Sequence, residues 1–169
     1  MYSSIRLHSL SFSDQKTWLF AFFFVLGNLI LPQIAHAIPQ GGLIFLPIYF
    51  FTLIAAFKYG IWAGLLTALL SPLANSLLFG MPPMAFLPLI LTKSVLLAVV
   101  AAYAARYFKN LSVYALVVVV LVYQFAGMAI EFAVLQDLNT ALQDLFIGWP
   151  GMLLQVLGGY LVLKVLAKY

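Results

Sequence analysis

The chain contains no cysteine and very little charge: eight lysines and arginines and four aspartates and glutamates in 169 residues. Without cysteine, disulfide bonds and thiolate chemistry are excluded. A soluble domain of ordinary composition has about a quarter of its residues charged, whereas here 66% of the residues are hydrophobic. Lipid is therefore expected to be the solvent for most of the side chains.

Sequence signatures of metal and enzyme sites are also missing. The only histidines are His8 and His36, and no cluster of carboxylates accompanies either, so no metal site is predicted. There is no zincin helix, no Gly-x-Ser-x-Gly turn and no phosphate-binding loop, so we expect neither enzymatic activity nor a cofactor. The net charge of +4 comes from scattered single bases, which does not indicate nucleic-acid binding.

Long apolar stretches make up most of the chain. A membrane-spanning helix needs about 20 apolar residues, and six such stretches leave no room for a soluble domain. The sequence predicts a single integral-membrane domain over residues 1–169, an all-α membrane protein built as a compact bundle of six transmembrane helices. Residues 1–16 are predicted to be a tail, and the helices to cover approximately 17–36, 43–57, 60–79, 85–106, 111–134 and 148–167.

Connections that carry basic residues alternate with connections that carry none. The bases precede the first helix, follow the second and fourth, and end the chain: Arg6, Lys16, Lys58, Arg106, Lys109, Lys164 and Lys168. This alternation follows the positive-inside rule. Both termini are therefore predicted to be cytoplasmic, in the inner membrane of a prokaryote. Pro47, Pro88 and Pro150 stand near the starts of the three helices that enter from outside, where the first turn accommodates proline.

The first apolar segment allows two interpretations. A polar, slightly basic stretch precedes it, and Ala35-His36-Ala37 resembles the cleavage site of a secretory signal peptide. Because five more spans follow, a retained first helix is the preferred interpretation. Asn28 and Pro32 are expected to bend or loosen its outer end.

The segment 135–146 differs from the spans. Its leucines recur at helical spacing among acidic and amide side chains. This pattern predicts a short amphipathic helix on the outer surface, which serves either as a connector or as a lid over a site.

Two ionisable residues lie within the predicted spans, Lys93 in the fourth and Glu131 in the fifth. Placing a charged side chain at membrane depth costs about 2.5–3.5 kcal/mol of insertion free energy. A charged residue at such a position is therefore taken to have a function by default. Both residues fall in the outer half of neighbouring helices, and we predict that they pair. The pair either only fixes helix register or faces a cavity and contacts a polar ligand. A third alternative is that Glu131 simply reaches the membrane interface.

Amides extend this candidate site. Gln124 shares a helical face with Glu131, Asn75 lies on the third span, and Gln155 lies on the sixth below Trp149. A single amide in a membrane helix is more often a contact between helices than a ligand contact. Several amides together with two charges favour a polar cavity.

Within residues 45–83 and 86–105, glycine, serine and proline interrupt the apolar helices in a recognisable order. The order is Lys58-Tyr59-Gly60, Gly64, Leu70-Ser71-Pro72, then Gly80-Met81-Pro82-Pro83. In this the chain resembles the substrate-binding S component of energy-coupling-factor (ECF) vitamin transporters. The resemblance implies high-affinity binding and uptake of a water-soluble vitamin or related micronutrient, with the pocket toward the outside. It also implies partners, namely a membrane scaffold subunit and two ATPase subunits. These ATPase subunits would hydrolyse ATP, and the chain itself would not.

The resemblance further implies that the loop 39–42, the turn 80–83 and the outer helix ends close over the ligand. The full set of predicted substrate-binding residues is then Lys93, Glu131, Gln124, Asn75, Trp149, Gln155, Gln40 and Met81. An unpaired Lys93 would repel a cationic amine, so an anionic or neutral heterocyclic ligand is expected.

Two features depart from the family pattern. The Ala-x-x-x-Ala pair of the first helix is missing, since Val25 follows Ala21 at that spacing, and Lys93 stands where relatives often carry an acid. A non-transport membrane scaffold resembling the MreD rod-shape family, which has similar length and six spans, is the main alternative. A membrane enzyme is a further one.

Overall fold

The structure is a computed structural model that describes residues 10–108 and 110–167. In chain order its helices are α1 (Gln15–His36), α2 (Gly41–Phe45), α3 (Phe50–Tyr59), α4 (Ile61–Phe79), α5 (Leu87–Phe108), α6 (Val113–Leu135), α7 (Leu138–Phe146) and α8 (Trp149–Leu166). No strand occurs in these two ranges. Most of the predicted tail, 1–16, lies outside the described residues, as do Arg6, His8, Lys109 and Lys168.

In the described part of the chain, five helices are long and apolar enough to cross a membrane: α1, α4, α5, α6 and α8. Their bounds agree with the sequence prediction to within two residues at each end, because long apolar runs and flanking prolines mark them clearly. Pro88 and Pro150 are indeed the second residues of α5 and α8. By the length and composition of these described helices, the protein is a helical, multi-pass membrane protein.

The prediction of one helix over residues 43–57 is wrong. The chain forms α2, turns at Leu46, passes through a 3₁₀ turn at Pro47–Tyr49 and only then begins α3. Pro47 is the reason, because a proline disfavours helical backbone at the residue before it. Leu46 instead takes a left-handed conformation with φ of 46°. The stretch Pro47–Tyr59 is about 20 Å long, shorter than the ~30 Å hydrocarbon core of a bilayer.

The helix α1 runs unbroken through Asn28 and Pro32, so neither residue interrupts it. Asn28 is fully buried and joins three helices. Its Oδ1 accepts a hydrogen bond from the Phe51 N–H at 3.2 Å, and its Nδ2 donates to Thr52 Oγ1 and Ser71 Oγ, both at 3.1 Å. The bond to Phe51 satisfies one of the N–H groups that the start of α3 would otherwise leave without a partner.

Small residues allow the helices to touch closely. Ala98, Ala101 and Ala105 of α5 lie in the buried core of the bundle. On α4, a Cβ atom added to Gly64 would lie 2.5 Å from the Cβ of Ala56 on α3. These stretches therefore serve contacts within the bundle, where small side chains let helix backbones approach each other.

Four of the five described lysines and arginines lie near one end of the bundle, at the start of α1 and the ends of α3, α5 and α8: Lys16, Lys58, Arg106 and Lys164. Two hydrogen bonds hold this end together. The Lys58 ammonium donates to the carbonyl of Leu166 at 2.8 Å, and the Leu10 N–H donates to the carbonyl of Tyr59. We call this the basic end. The opposite end contains α2, α7 and the turn between α4 and α5.

The predicted short helix between the fifth and sixth spans is confirmed as α7. Asp137 caps its first turn, since the carboxylate accepts hydrogen bonds from the Asn139 N–H at 3.0 Å and the Thr140 hydroxyl at 2.5 Å. These bonds, the one from Thr140 first, lower the pKa of Asp137 below its ordinary value. A carboxyl with a lowered folded-state pKa stabilises the fold above its ordinary pKa of about 4, and this contribution disappears as the pH falls through the lowered value.

We expect Asp137→Ala to speed amide hydrogen exchange in α7 at pH 7, because the variant leaves first-turn N–H groups uncapped. The difference from the unmodified protein should shrink as the pH is lowered toward 3. Asn139→Ala is the matched control, since among the described residues the Asn139 side chain makes no hydrogen bond. Equal protection of α7 in all three proteins at pH 7 would contradict the capping role.

Candidate functional site

The end of the bundle opposite the basic end contains a cavity of about 610 Å³. This volume lies within the range of about 300–1,000 Å³ that is typical of small-molecule sites. Its wall is formed by the last turns of α1, the segment 38–49, the turn after α4 and the facing ends of α5, α6 and α7. Most of the wall is apolar and includes Ile38, Leu43, Leu46, Ile48, Phe86 and Leu89.

Close backbone contacts fix the segment around α2, which forms one side of the wall. A Cβ atom on Gly41 would lie 1.9 Å from the carbonyl oxygen of Ala35, the penultimate residue of α1. On the other side, a Cβ atom on Gly151 would lie 2.4 Å from the carbonyl oxygen of Phe45. The segment is thus held between α1 and α8, and only glycine fits at these two contacts.

A cluster of three charged side chains lies on the cavity wall. The Lys93 ammonium, in the second turn of α5, is 2.5 Å from Glu131 Oε2 near the end of α6 and 2.8 Å from Asp144 Oδ2 on α7. The predicted pairing of Lys93 with Glu131 is therefore confirmed. Gly127 makes room for it, because a Cβ atom there would lie 2.8 Å from Cγ of Lys93.

Asp144 was not among the predicted site residues. The sequence assigned it to a surface helix, and its contact with Lys93 joins residues 51 positions apart. Asp144 follows Ala141 by three residues, so the two share a face of α7, and the structure shows that Ala141 is the buried residue of that helix. A carboxylate on the buried face of an amphipathic helix needs a partner.

The cluster holds one base and two acids. Lys93 is therefore not unpaired, and the reason given for expecting an anionic or neutral ligand does not hold. The three side chains are 6%, 12% and 16% exposed, in the order Lys93, Glu131 and Asp144. In such a shielded place charges interact more strongly than in water, and the two carboxylates remain the more accessible part of the cluster.

Five of the eight predicted substrate-binding residues line the cavity: Lys93, Glu131, Asn75, Gln40 and Met81. They come from four separate parts of the chain, which the fold brings together. Asn75 is buried and donates hydrogen bonds to the carbonyls of Asn28 at 2.8 Å and Ser71 at 3.0 Å. Its oxygen accepts from Gln33 at 3.5 Å.

The other three predicted residues do not line this cavity. Gln124 and Gln155 are buried at 1% and 0% exposure, and Gln155 Oε1 accepts a hydrogen bond from the Tyr123 hydroxyl at 2.8 Å. Their side-chain nitrogens have no hydrogen-bond partner among the residues that the structure describes. Trp149 is 57% exposed because its neighbours Gly148 and Gly151 occupy the face of α8 that meets the α2 segment.

The cavity offers charge, amide groups and apolar surface, which together suit the binding of a small polar molecule. Within 10–108 and 110–167, no group of three or more histidine, cysteine or acidic side chains is placed to hold a metal ion. Comparison of the chain with protein-family models, with curated proteins and with solved structures found no match.

Proposed function

We propose that this protein binds a water-soluble vitamin or related micronutrient with high affinity and acts in its uptake as the S component of an ECF-type transporter. The observation that carries the proposal is the cavity beside the buried ion cluster. A charged cluster that only fixed helix register would be enclosed by packed side chains. Here Lys93, Glu131 and Asp144 instead border a hollow of ligand size.

The proposal includes a topology. In it α3 crosses the inner membrane of a prokaryote together with the five long helices, and both termini are cytoplasmic. The basic end, with its four described lysines and arginines, then faces the cytoplasm, as the positive-inside rule favours. The cavity opens to the outside. The buried contacts of Asn28 with α3 and α4 support a retained first helix, because cleavage after Ala37 would remove them.

In this proposal the chain works with a membrane scaffold subunit and two ATPase subunits. Those subunits hydrolyse ATP, and the chain supplies the binding site. The alanine pair by which the family's first helix contacts the scaffold is missing here, since Val25 follows Ala21 at that spacing and Ala21 is buried within the bundle. The exposed apolar face of α1 is the surface proposed in its place: Trp18, Leu19, Phe22, Phe23, Leu26 and Ile30.

Native mass spectrometry of the protein purified in mild detergent tests the proposal. We expect a retained small molecule, with an affinity in the sub-micromolar range on titration. Leu89→Trp should weaken retention, because the larger side chain takes up part of the cavity that Leu89 lines. Leu161→Trp is the control, since Leu161 is 61% exposed on α8.

Two outcomes would contradict the proposal. Equal retention in Leu89→Trp and Leu161→Trp would place the bound molecule outside the cavity. No retained molecule, no binding of any water-soluble vitamin and stable co-purification of another membrane protein would favour the alternative of a non-transport scaffold.

A further inference from the structure

The ion cluster carries more acid than base. Lys93 meets both Glu131 and Asp144, which gives the three groups a formal charge of −1. In the described part of the chain no other lysine or arginine lines the cavity, and the other described bases lie at the opposite end of the bundle. Among the described wall residues, His36 is the one further group that can carry a positive charge.

The hydrogen bonds of the cluster are also unbalanced. An ammonium offers three N–H donors, and two carboxylates offer four oxygens. Lys93 donates to Glu131 Oε2 and to Asp144 Oδ2. The remaining oxygens, Glu131 Oε1 and Asp144 Oδ1, accept no hydrogen bond from any residue that the structure describes. Both acidic side chains are more exposed than the lysine side chain, so the acids contribute more of the cluster's open surface than the base does.

An uncompensated charge on an apolar, shielded wall is energetically unfavourable, and a ligand of opposite charge compensates it. An anionic ligand would add to the negative excess. A cationic ligand with N–H groups would neutralise it and would satisfy the two free oxygens. The remainder of the wall is apolar and includes the ring of Phe86, a surface that suits the body of a small ring compound and that attracts cations at its face.

We infer that the cavity selects a small molecule with a positively charged nitrogen that carries N–H groups, an amine or a protonated heterocycle, and that Glu131 and Asp144 determine this selectivity. The inference rests on the proposed binding function and narrows its ligand. It reverses the expectation that follows from an unpaired Lys93.

Three probes that share a phenyl ring separate the effect of charge from that of size: 2-phenylethylamine, 2-phenylethanol and phenylacetate. Binding to the full-length protein in detergent is measured at pH 8 by equilibrium dialysis and by thermal shift. We expect the amine to bind at least tenfold more tightly than the alcohol and the phenylacetate. The preference should weaken as salt is added, because screening reduces the attraction between charges.

Asp144→Asn should reduce the preference for the amine over the alcohol about tenfold. Asp137→Asn is the matched control, since Asp137 is an exposed acid that adjoins α7 and does not line the cavity. Glu131→Gln is the second variant. The melting temperature of each variant without probe separates a folding defect from a loss of selectivity.

The possible results distinguish the inference from the function on which it rests. If the alcohol or phenylacetate binds as tightly as the amine, the inference is overturned and the binding function stands. If no probe binds but a molecule is retained in native mass spectrometry, the charge of that molecule decides: a cation supports the inference, and an anion or neutral molecule overturns it. If no probe binds and nothing is retained, both fail together.

Discussion

Replacing Lys93 with methionine is expected to lower the free energy of unfolding by about 3–5 kcal/mol, the usual cost of removing one partner from a buried ion pair. Methionine keeps most of the side-chain volume beside Gly127, so the effect reports charge rather than a cavity. The carboxylates of Glu131 and Asp144 would lose the cation that both contact. Reversible unfolding in mixed micelles, followed by circular dichroism, measures the change.

Two further variants serve as controls for this measurement. Lys164→Met removes an exposed lysine in the last turn of α8 and should change stability little, as is usual for surface sites. The triple variant Lys93→Met, Glu131→Gln, Asp144→Asn removes all three charges and should recover much of the loss, because no buried charge then lacks a partner. If Lys93→Met is as stable as Lys164→Met, the cluster does not hold the ends of α5, α6 and α7 together.

The Lys93–Glu131 pair could be predicted because depth along a helix follows from sequence position. Both residues are charged, and each lies a known number of residues from the outer end of its own helix. Neighbouring helices in the chain usually pack together, so charges at similar depth meet. The contact with Asp144 could not be derived in this way, since it depends on how α7 folds back over the bundle after Gln136, which takes a left-handed conformation with φ of 52°.

The side of the helix on which a residue faces the cavity was harder to predict than the depth of that residue in the membrane. Gln124 shares a face with Glu131 by spacing, yet it is buried away from the cavity. Trp149 lies at the correct end of α8 but points outward, because the glycines beside it occupy the contact with α2. Hydrophobic periodicity does not resolve such questions in a membrane helix, where the lipid-facing and protein-facing sides are both apolar.

The break at Leu46 shows how one residue changes a span. A proline at the first turn of a helix was expected at Pro47, and it is found there. The preceding residues were expected to continue the same helix, but they form α2 as a separate element. This break gives the cavity its side wall, since Leu43, Leu46, Pro47 and Tyr49 line it. The shortness of the second apolar segment and the presence of a cavity therefore have one cause.

Replacing Asn28 with alanine is expected to cost about 3 kcal/mol of stability, the upper part of the range for leaving a buried polar group without a partner. The Phe51 N–H at the start of α3 would lose its acceptor, and the hydroxyls of Thr52 and Ser71 would lose a donor. Water cannot replace these bonds inside a bilayer. Chemical unfolding in mixed micelles measures the loss, with Asn110→Ala as the control because Asn110 is exposed in a turn.

The same substitution should also act on binding, which distinguishes a local role of Asn28 from a general loss of stability. The side chain of Asn28 holds the start of α3 directly after the wall residues Pro47 and Tyr49. We expect the amides of residues 50–53 to exchange faster with solvent in Asn28→Ala, and the affinity for the retained molecule to fall about tenfold. Unchanged exchange there, or a loss spread evenly over all helices, would show that Asn28 does not position this wall.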